Sequence, residues 1–207
     1  MIIGLTGTYC AGKNYVASLL EARGLPVLDV DKVGHKALDI EKEKILAQFG
    51  QDLLIDASSG QSETASGCQT AINRRKLGAL VYNNPEKLAA LEAIVHPAAN
   101  RLSEEWAAAQ NGHCVINAAL LHRSSLITKI ERIILVKAPF ITRLIRARKR
   151  DKHSWSGIWK RISAQKDFYT QYLSLNAEIY IVENPGLGKS RISKLESQID
   201  KFLEGIK

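Results

Sequence analysis

Met1-Ile2-Ile3-Gly4-Leu5-Thr6-Gly7-Thr8-Tyr9-Cys10-Ala11-Gly12-Lys13-Asn14 is the stretch on which the fold turns. Met1 to Thr6 is a short apolar run stopped by Gly7, which predicts a buried strand. Gly12 to Arg23 carries Val16, Leu19 and Leu20 at helical spacing, and Gly24 follows as a stop signal, so a helix is predicted there. Between them, Gly7, Gly12 and Lys13 satisfy the pattern G-x-x-x-x-G-K-[ST] at every position but the last, where Asn14 stands. In a strand–loop–helix setting, the backbone N–H groups of such a loop form an anion-binding nest, and the helix N-terminus adds partial positive charge. Cys10, Ala11, Gly12, Lys13, Asn14 and Tyr15 are therefore the candidate phosphate-binding residues, with Lys13 reaching the outer phosphates as a point charge. The hydroxyl usual at position 14 ligates Mg²⁺. An amide oxygen also ligates Mg²⁺ but is bulkier and uncharged, so Asn14 is the candidate metal ligand. Cys10 lies near Lys13 and a helix start, an environment that lowers a thiol pKa. Two readings of it stand: a redox-sensitive thiol, and the commoner one, a small residue filling a turn.

Working outward, Pro26 to Val30 reads as a second strand, and strand, turn, helix and strand within 30 residues make a βαβ unit with a parallel pair. A helix is predicted over Asp31 to Phe49, ending at Gly50. The small, polar stretch 57–70 reads as a surface loop. Helices are predicted over Arg74 to Tyr82 and Pro85 to Val95. Pro97 then restarts or kinks the chain, and Ala98 to Gln110 continues as helix. Three more apolar runs, His113 to Asn117, Arg132 to Val136 and Glu178 to Val182, read as strands, with a basic helical region between the last two. A final helix runs from about Ser190 to Leu203. Short, near-continuously apolar strands alternating with helices point to an α/β fold, a parallel sheet covered on both faces. Ligands of such sheets bind beyond the carboxyl ends of the strands, which selects loops 7–13, 29–35, 117–123, 137–150 and 183–189.

The chain has 207 residues, and ~150 residues per domain makes it one domain. Hydrophobic residues at 45% and charged residues at 24% exclude wholesale disorder. No apolar run approaches the ~18 residues of a membrane span. The N-terminus lacks the basic start and small-residue cleavage site of a secretory signal, so a cytoplasmic location is expected. Lys plus Arg is 29 and Asp plus Glu 21, a net +8. Anionic partners and a plainly basic soluble surface are equally good readings of that sum. Its distribution says more: Arg143, Arg146, Arg148, Lys149, Arg150, Lys152, Lys160 and Arg161 crowd one stretch in which Asp151 is the only acid. This stretch reads as a solvated basic face or an RNA-binding stripe. Trp155 and Trp159 interleave with it, and their spacing of four fits a helix packing into the core. Cys10, Cys68 and Cys114 are odd in number and form no C-x-x-C pair, so neither a disulfide framework nor a zinc site is expected.

Gly4-Leu5-Thr6-Gly7 with Gly12-Lys13, then Pro26-Val27-Leu28-Asp29-Val30-Asp31, closely resembles the dephospho-CoA kinase family. Leu91-Glu92-Ala93-Ile94-Val95-His96-Pro97 is similar to its L-E-x-I-x-H-P, and Arg161-Ile162-Ser163-Ala164-Gln165 to its R-I-x-x-Q. Arg146 with Arg150-Asp151 resembles its R-x-x-x-R-D lid segment, and Asn184-Pro185-Gly186 its N-x-G nucleotide-side turn. The resemblance covers nearly the whole chain in the right order. It implies a three-layer α/β/α P-loop kinase core with a parallel sheet of about five strands, a helical substrate-binding insertion and a basic lid. Residues 1–207 would form one such domain: core about 1–30, 111–139 and 170–207, helical part about 31–110, lid about 140–169. The implied activity is ATP-dependent, Mg²⁺-assisted phosphorylation of the ribose 3′-hydroxyl of dephospho-CoA, the last step of CoA biosynthesis. Asp31 would be the general base, with Lys13 and Arg146 as the other catalytic groups. Cys10 to Tyr15, Arg150 and Asn184 would bind ATP. Asp31, His35, Arg74 and His96 would meet dephospho-CoA. No nucleic-acid or membrane partner is implied, and the protein would be a monomer or small homo-oligomer. From its place before a helical stretch, Asp31 also reads as an N-cap, and His35 equally as a surface or packing residue.

The chain departs from the family pattern at defined points. Asn14 replaces the hydroxyl residue, and Ile72-Asn73-Arg74 carries an amide where the family has an acid. The third-strand motif, D-x-P-L-L-x-E in the family, reads Asn117-Ala118-Ala119-Leu120-Leu121-His122-Arg123. Fewer carboxylates strengthen anion binding and weaken metal recruitment. Three rival readings remain: a P-loop kinase for another small alcohol or nucleoside, a degenerate protein that binds nucleotide or CoA without turnover, and a basic nucleic-acid binder. No recognised RNA- or DNA-binding motif supports the last.

Overall fold

The opening apolar run forms β1 (Ile2–Gly7), buried from Ile3 onward, and the helix after the glycine-bearing loop is α1 (Lys13–Glu21). The computed structural model describes residues 1–55, 71–82, 84–150, 155–163, 165, 168–173, 175–186 and 188–206. The polar stretch 57–70, Cys68, Asp151, Lys152 and Ala164 lie outside the described residues. The chain divides into two units, Met1–Asp29 with Trp106–Lys207, and Val30–Glu105.

The first unit is built on a five-stranded parallel sheet of β1, β2 (Val27–Asp29), β3 (Cys114–Asn117), β4 (Ile130–Lys137) and β5 (Glu178–Glu183), ordered β2-β3-β1-β4-β5. The sequence pattern reads β1 and β2 as a pair. In the structure they are parallel but not neighbours, because β3 lies between them. All four residues of β3 are buried, which suits an inner position, whereas β2 is three half-buried residues and takes the edge. The chain therefore leaves β1 in one direction for β2 and β3 and in the other for β4 and β5. This puts the topological switch between β1 and β3, where parallel sheets of this kind open a crevice at their carboxyl ends.

Side chains alternate across a strand, so β1 serves both faces of the sheet. Ile3 and Leu5 pack with Val16, Leu19 and Leu20 of α1 and with Leu195, Ile199 and Phe202 of α9 (Lys189–Glu204). Each such fully buried side chain contributes roughly 1.5–3 kcal/mol. Gly4 and Thr6 face the other way. A Cβ at Gly4 would collide with Leu121, which sits in a short 3-10 turn over that face (Leu121–Arg123), and Thr6 Oγ1 lies 3.4 Å from the hydroxyl of buried Tyr172 in α8 (Thr170–Leu173).

The second unit is helical: α2 (Val30–Ile40), α3 (Lys42–Phe49), α4 (Arg74–Tyr82) and most of α5 (Pro85–Ala108). The pattern predicts one helix over Asp31 to Phe49, but Glu41 breaks it. In an unbroken helix Leu46 would lie opposite Ala37. The break lets both bury, and Glu41 holds Lys44 in the first turn of α3 at 2.6 Å. Asp31 is inside the first turn of α2 and not its cap, and its charge there favours the helix N-terminus. Asn73 accepts from the Lys76 N–H at 3.0 Å and caps α4, so the amide at this position keeps the capping role an acid would fill. Asn84 does the same for α5 by accepting from Lys87, with Pro85 in the first turn. Pro97 does not divide the helix: α5 runs through it, since one lost backbone bond leaves the rest of a 24-residue helix in place. Ile45, Leu46, Leu53, Ile72, Leu77 and Val81 form this unit's own core.

Candidate active site

Gly7 to Asn14 leaves β1 at the carboxyl edge of the sheet and turns into α1. The Ala11 N–H donates to the Thr8 carbonyl at 2.9 Å, closing a tight turn. Cys10 has φ +59° and Gly12 φ +91°, both left-handed. At Gly12 a side chain is excluded twice over, by this conformation and by the Asn184 amide against its α-carbon. Gly12 caps α1, and Lys13 and Asn14 open the helix, so its partial positive end points into the loop. Ala11 is buried, Cys10 half-buried and Tyr15 exposed.

Lys13 Nζ donates to Asn117 Oδ1 at 2.5 Å, and Asn117 Nδ2 donates to Asn14 Oδ1 at 3.4 Å. Asn117 ends β3, the neighbour of β1, and is 2% exposed. The sheet order thus brings the end of β3 against the phosphate loop.

The basic helix α6 (Phe140–Arg150) holds the loop from outside. Arg143 Nε donates to the Tyr9 carbonyl at 2.8 Å, and Arg146 Nη1 donates to the Ala11 carbonyl at 2.9 Å. Arg146 Nη2 donates to Asn184 Oδ1 at 2.9 Å, and buried Asn184 in turn donates to the Ala11 carbonyl at 2.9 Å. Burial pulls the Arg143 and Arg146 guanidiniums below their ordinary pKa, and both stay charged because arginine starts so high. Arg143 Nη2 is buried with no hydrogen-bond acceptor among the described residues. The Arg150 guanidinium stacks 5.3 Å from the centre of the Tyr9 ring, and the Tyr9 N–H donates to Gln165 at 2.6 Å.

α7 (Trp155–Ser163) packs on α6 through Ile158 and Ile162, which meet Ala147. Trp155 and Trp159 do not enter the core as their spacing predicts; they are 55% and 58% exposed. Ile158 and Ile162, one face around, take the buried positions. Trp159 instead lies edge-on to Phe140, and the Arg148 guanidinium sits over Trp155 at 5.4 Å.

The candidate residues thus fall into two groups. Cys10, Ala11, Gly12, Lys13, Asn14, Arg146 and Asn184 are brought together in the first unit by direct hydrogen bonds or chain adjacency, with Arg150 joined through Tyr9. Asp31, His35, Arg74 and His96 belong to the second unit, all exposed. Asp31 and His35 are one turn apart on α2, and Arg74 pairs with Asp39 at 3.0 Å. In the sequence Asn117 stands out only as a departure from the family pattern, and Arg143 only as part of the basic stretch; neither is among the named candidate residues. Nothing local in the sequence puts Asn117 beside Lys13; only the strand order does. The spacing of Arg143 to Arg146 on one helix was the available signal for Arg143.

Among the described residues no three His, Cys, Asp or Glu side chains cluster as a metal site. Asn117 and Asn14, bonded in a row from Lys13, are neutral amides, and Asp29 ends β2 in register with Asn117. Such a set fits a Mg²⁺ that arrives on a nucleotide's phosphates and keeps its waters, as Mg²⁺ commonly does.

A left-handed glycine, a lysine opening a helix, and a loop at the switch point of a parallel sheet define the P-loop class of nucleotide-phosphate-binding proteins. The dephospho-CoA kinase family profile matches residues 1–187. The chain is 31% identical over 206 residues to the dephospho-CoA kinase of Treponema denticola, covering 97% of this chain and 90% of that one. Its structure is similar to TT1252 from Thermus thermophilus, with TM-score 0.74 and 28% identity over 100% of this chain and 98% of that one. It also shares the fold of the dephospho-CoA kinase from Campylobacter jejuni, with TM-score 0.67, 22% identity and coverage of 99% and 98%. The chain belongs to the dephospho-CoA kinase family and is a kinase of the CoA biosynthetic route.

Proposed function

We propose that this chain transfers the γ-phosphoryl group of ATP to the ribose 3′-hydroxyl of dephospho-CoA, giving CoA and ADP. The observation that carries the proposal is the Gly12–Lys13 loop, left-handed at its glycine and clamped by α6, in a chain of this family. Backbone N–H groups at the loop and the start of α1 receive the β- and γ-phosphates, and Lys13 offsets their charge. Arg146 and Asn184 keep the loop carbonyls occupied and turned away from the anion. Arg143, whose buried Nη2 has no acceptor among the described residues, and Arg150, on the Tyr9 ring, bring further positive charge to ATP. Asp31 accepts the proton of the 3′-hydroxyl as its oxygen bonds to the γ-phosphorus, while the bond from that phosphorus to the bridging oxygen breaks and ADP departs. His35, Arg74 and His96, on the same unit as Asp31, meet dephospho-CoA. Carried in on ATP beside Lys13, Mg²⁺ would supply further positive charge to offset what develops on the phosphate oxygens.

The chain acts in the cytoplasm in this reading, where free thiols such as Cys10 and Cys114 stay reduced. No described helix is long and apolar enough to cross a membrane.

The direct test is ADP formation by the purified protein with ATP and Mg²⁺, comparing dephospho-CoA with adenosine and shikimate. Turnover is expected with dephospho-CoA alone. Faster turnover with a decoy would reassign the acceptor, and tight ATP binding without ADP would make the chain a binder without turnover.

A further inference from the structure

We propose that Asn14 serves the ATP phosphates as a hydrogen-bond donor and not Mg²⁺ as a ligand, because Asn117 turns its amide that way. This rests on the ATP-binding reading above. The argument is one of donors and acceptors. An ammonium has three donors and no acceptor, so the Asn117 atom that meets Lys13 Nζ is its oxygen. The Asn117 side chain is planar and buried, which leaves its NH₂ facing Asn14. A donor facing Asn14 must meet an acceptor, so Asn14 presents Oδ1 to Asn117 and turns its own NH₂ away from β3. The lysine charge thus fixes two successive amide orientations.

Asn14 opens α1 beside Lys13 and is exposed, and in this proposal its NH₂, turned from Asn117, meets the phosphates bound at the loop. N–H donors suit phosphate oxygens; a cation needs an oxygen. The sequence pattern makes position 14 the metal ligand. Here the oxygen that would serve is turned toward Asn117, which takes one of its two lone pairs. The consequence is a nucleotide site that depends on Mg²⁺ less for binding than a hydroxyl or carboxylate at these positions would require.

Asn117→Asp reverses the relay. A carboxylate only accepts, so Asn14 must donate its NH₂ to residue 117 and turn Oδ1 outward, toward the phosphates. Asn14→Ala removes the donor outright and, at an exposed position, spares the core.

The experiment is calorimetric titration of ATP into wild type, Asn14→Ala and Asn117→Asp, each in EDTA and in Mg²⁺, with thermal melts to confirm folding. For the wild type, removing Mg²⁺ is expected to weaken ATP binding by no more than about threefold. Asn14→Ala is expected to lose about tenfold in EDTA, the size of a hydrogen bond to a charged group. Asn117→Asp is expected to widen the Mg²⁺-to-EDTA ratio to more than about tenfold, with the same charge-assisted bond lost and a repelling oxygen put in its place. The opposite pattern, Asn14→Ala unchanged in EDTA but weaker in Mg²⁺, is that of a metal ligand and overturns the proposal. Folded wild type that binds ATP in neither buffer would overturn the ATP reading itself. Wild type that turns over dephospho-CoA but binds ATP only with Mg²⁺ would sink this inference alone.

Discussion

Lys13 and Gly12 show how much rests on single side chains in this loop. The lysine is placed by the first turn of α1 and by the Asn117 oxygen, so its charge is preorganised for phosphate. Lys13→Ala is expected to lower kcat for dephospho-CoA by about 10²–10³, the usual loss of one preorganised donor, with the melting temperature little changed. Gly12→Ala is a packing test. Its φ of +91° strains any side chain by about 1–3 kcal/mol, and the methyl would push Asn184 off the Ala11 carbonyl. Loss of both stability in urea and ATP affinity is expected; a variant that keeps both would show that the clamp is not needed. Asp31→Asn separates catalysis from structure. kcat is expected to fall far more than ATP affinity, and an equal fall in both would leave Asp31 only its place in the first turn of α2.

At the scale of elements, local patterns read well and long-range neighbours did not. β1, the loop and α1 form within the first 21 residues, where apolar runs, glycines and spacing all lie side by side. Strand order is a property of distant segments, and no spacing near residue 30 announces that β3 will slip between β1 and β2. The amide relay on Lys13 was hidden for the same reason. Trp155 and Trp159 mislead because Ile158 and Ile162 share their periodicity and win the buried face. Helix α6 clamps the loop: Arg146→Lys keeps the charge but not the fork that joins the Ala11 carbonyl to Asn184. It is expected to weaken ATP binding about tenfold while the sheet core stays intact, which far-ultraviolet dichroism checks.

Behind β1, His122 Nδ1 lies 3.3 Å from the Tyr172 hydroxyl, which also meets Thr6. Burial, aided by the charge of Arg123, holds His122 below its ordinary pKa. Its proton is taken up by the unfolded chain before the folded one. Stability is therefore full above the ordinary histidine value of about 6.5 and is lost as pH falls below it, until the folded imidazole also charges. Melting curves from pH 7.5 to 5.5, taken as about a unit on each side of that value, are expected to slope downward in the wild type and less so in His122→Asn.

For the whole molecule, the residues divide by task. The unit holding the sheet carries the phosphate machinery, and the helical unit Val30–Glu105 carries Asp31, His35, Arg74 and His96. Family membership and the parallel sheet were legible from the order of motifs along the chain. The departures Asn14, Asn73 and Asn117 were equally visible as letters, but their effect needed geometry: Asn73 caps a helix, while Asn14 and Asn117 bond to each other. The most direct measurement follows the phosphorus spectrum of a mixture of protein, ATP, Mg²⁺ and dephospho-CoA. The account predicts that the γ-phosphate signal declines as a new phosphomonoester grows on the ribose 3′-oxygen, and that Lys13→Ala slows the change by about 10²–10³. Growth of free phosphate alone, or a phosphate on any other oxygen of the acceptor, would contradict it.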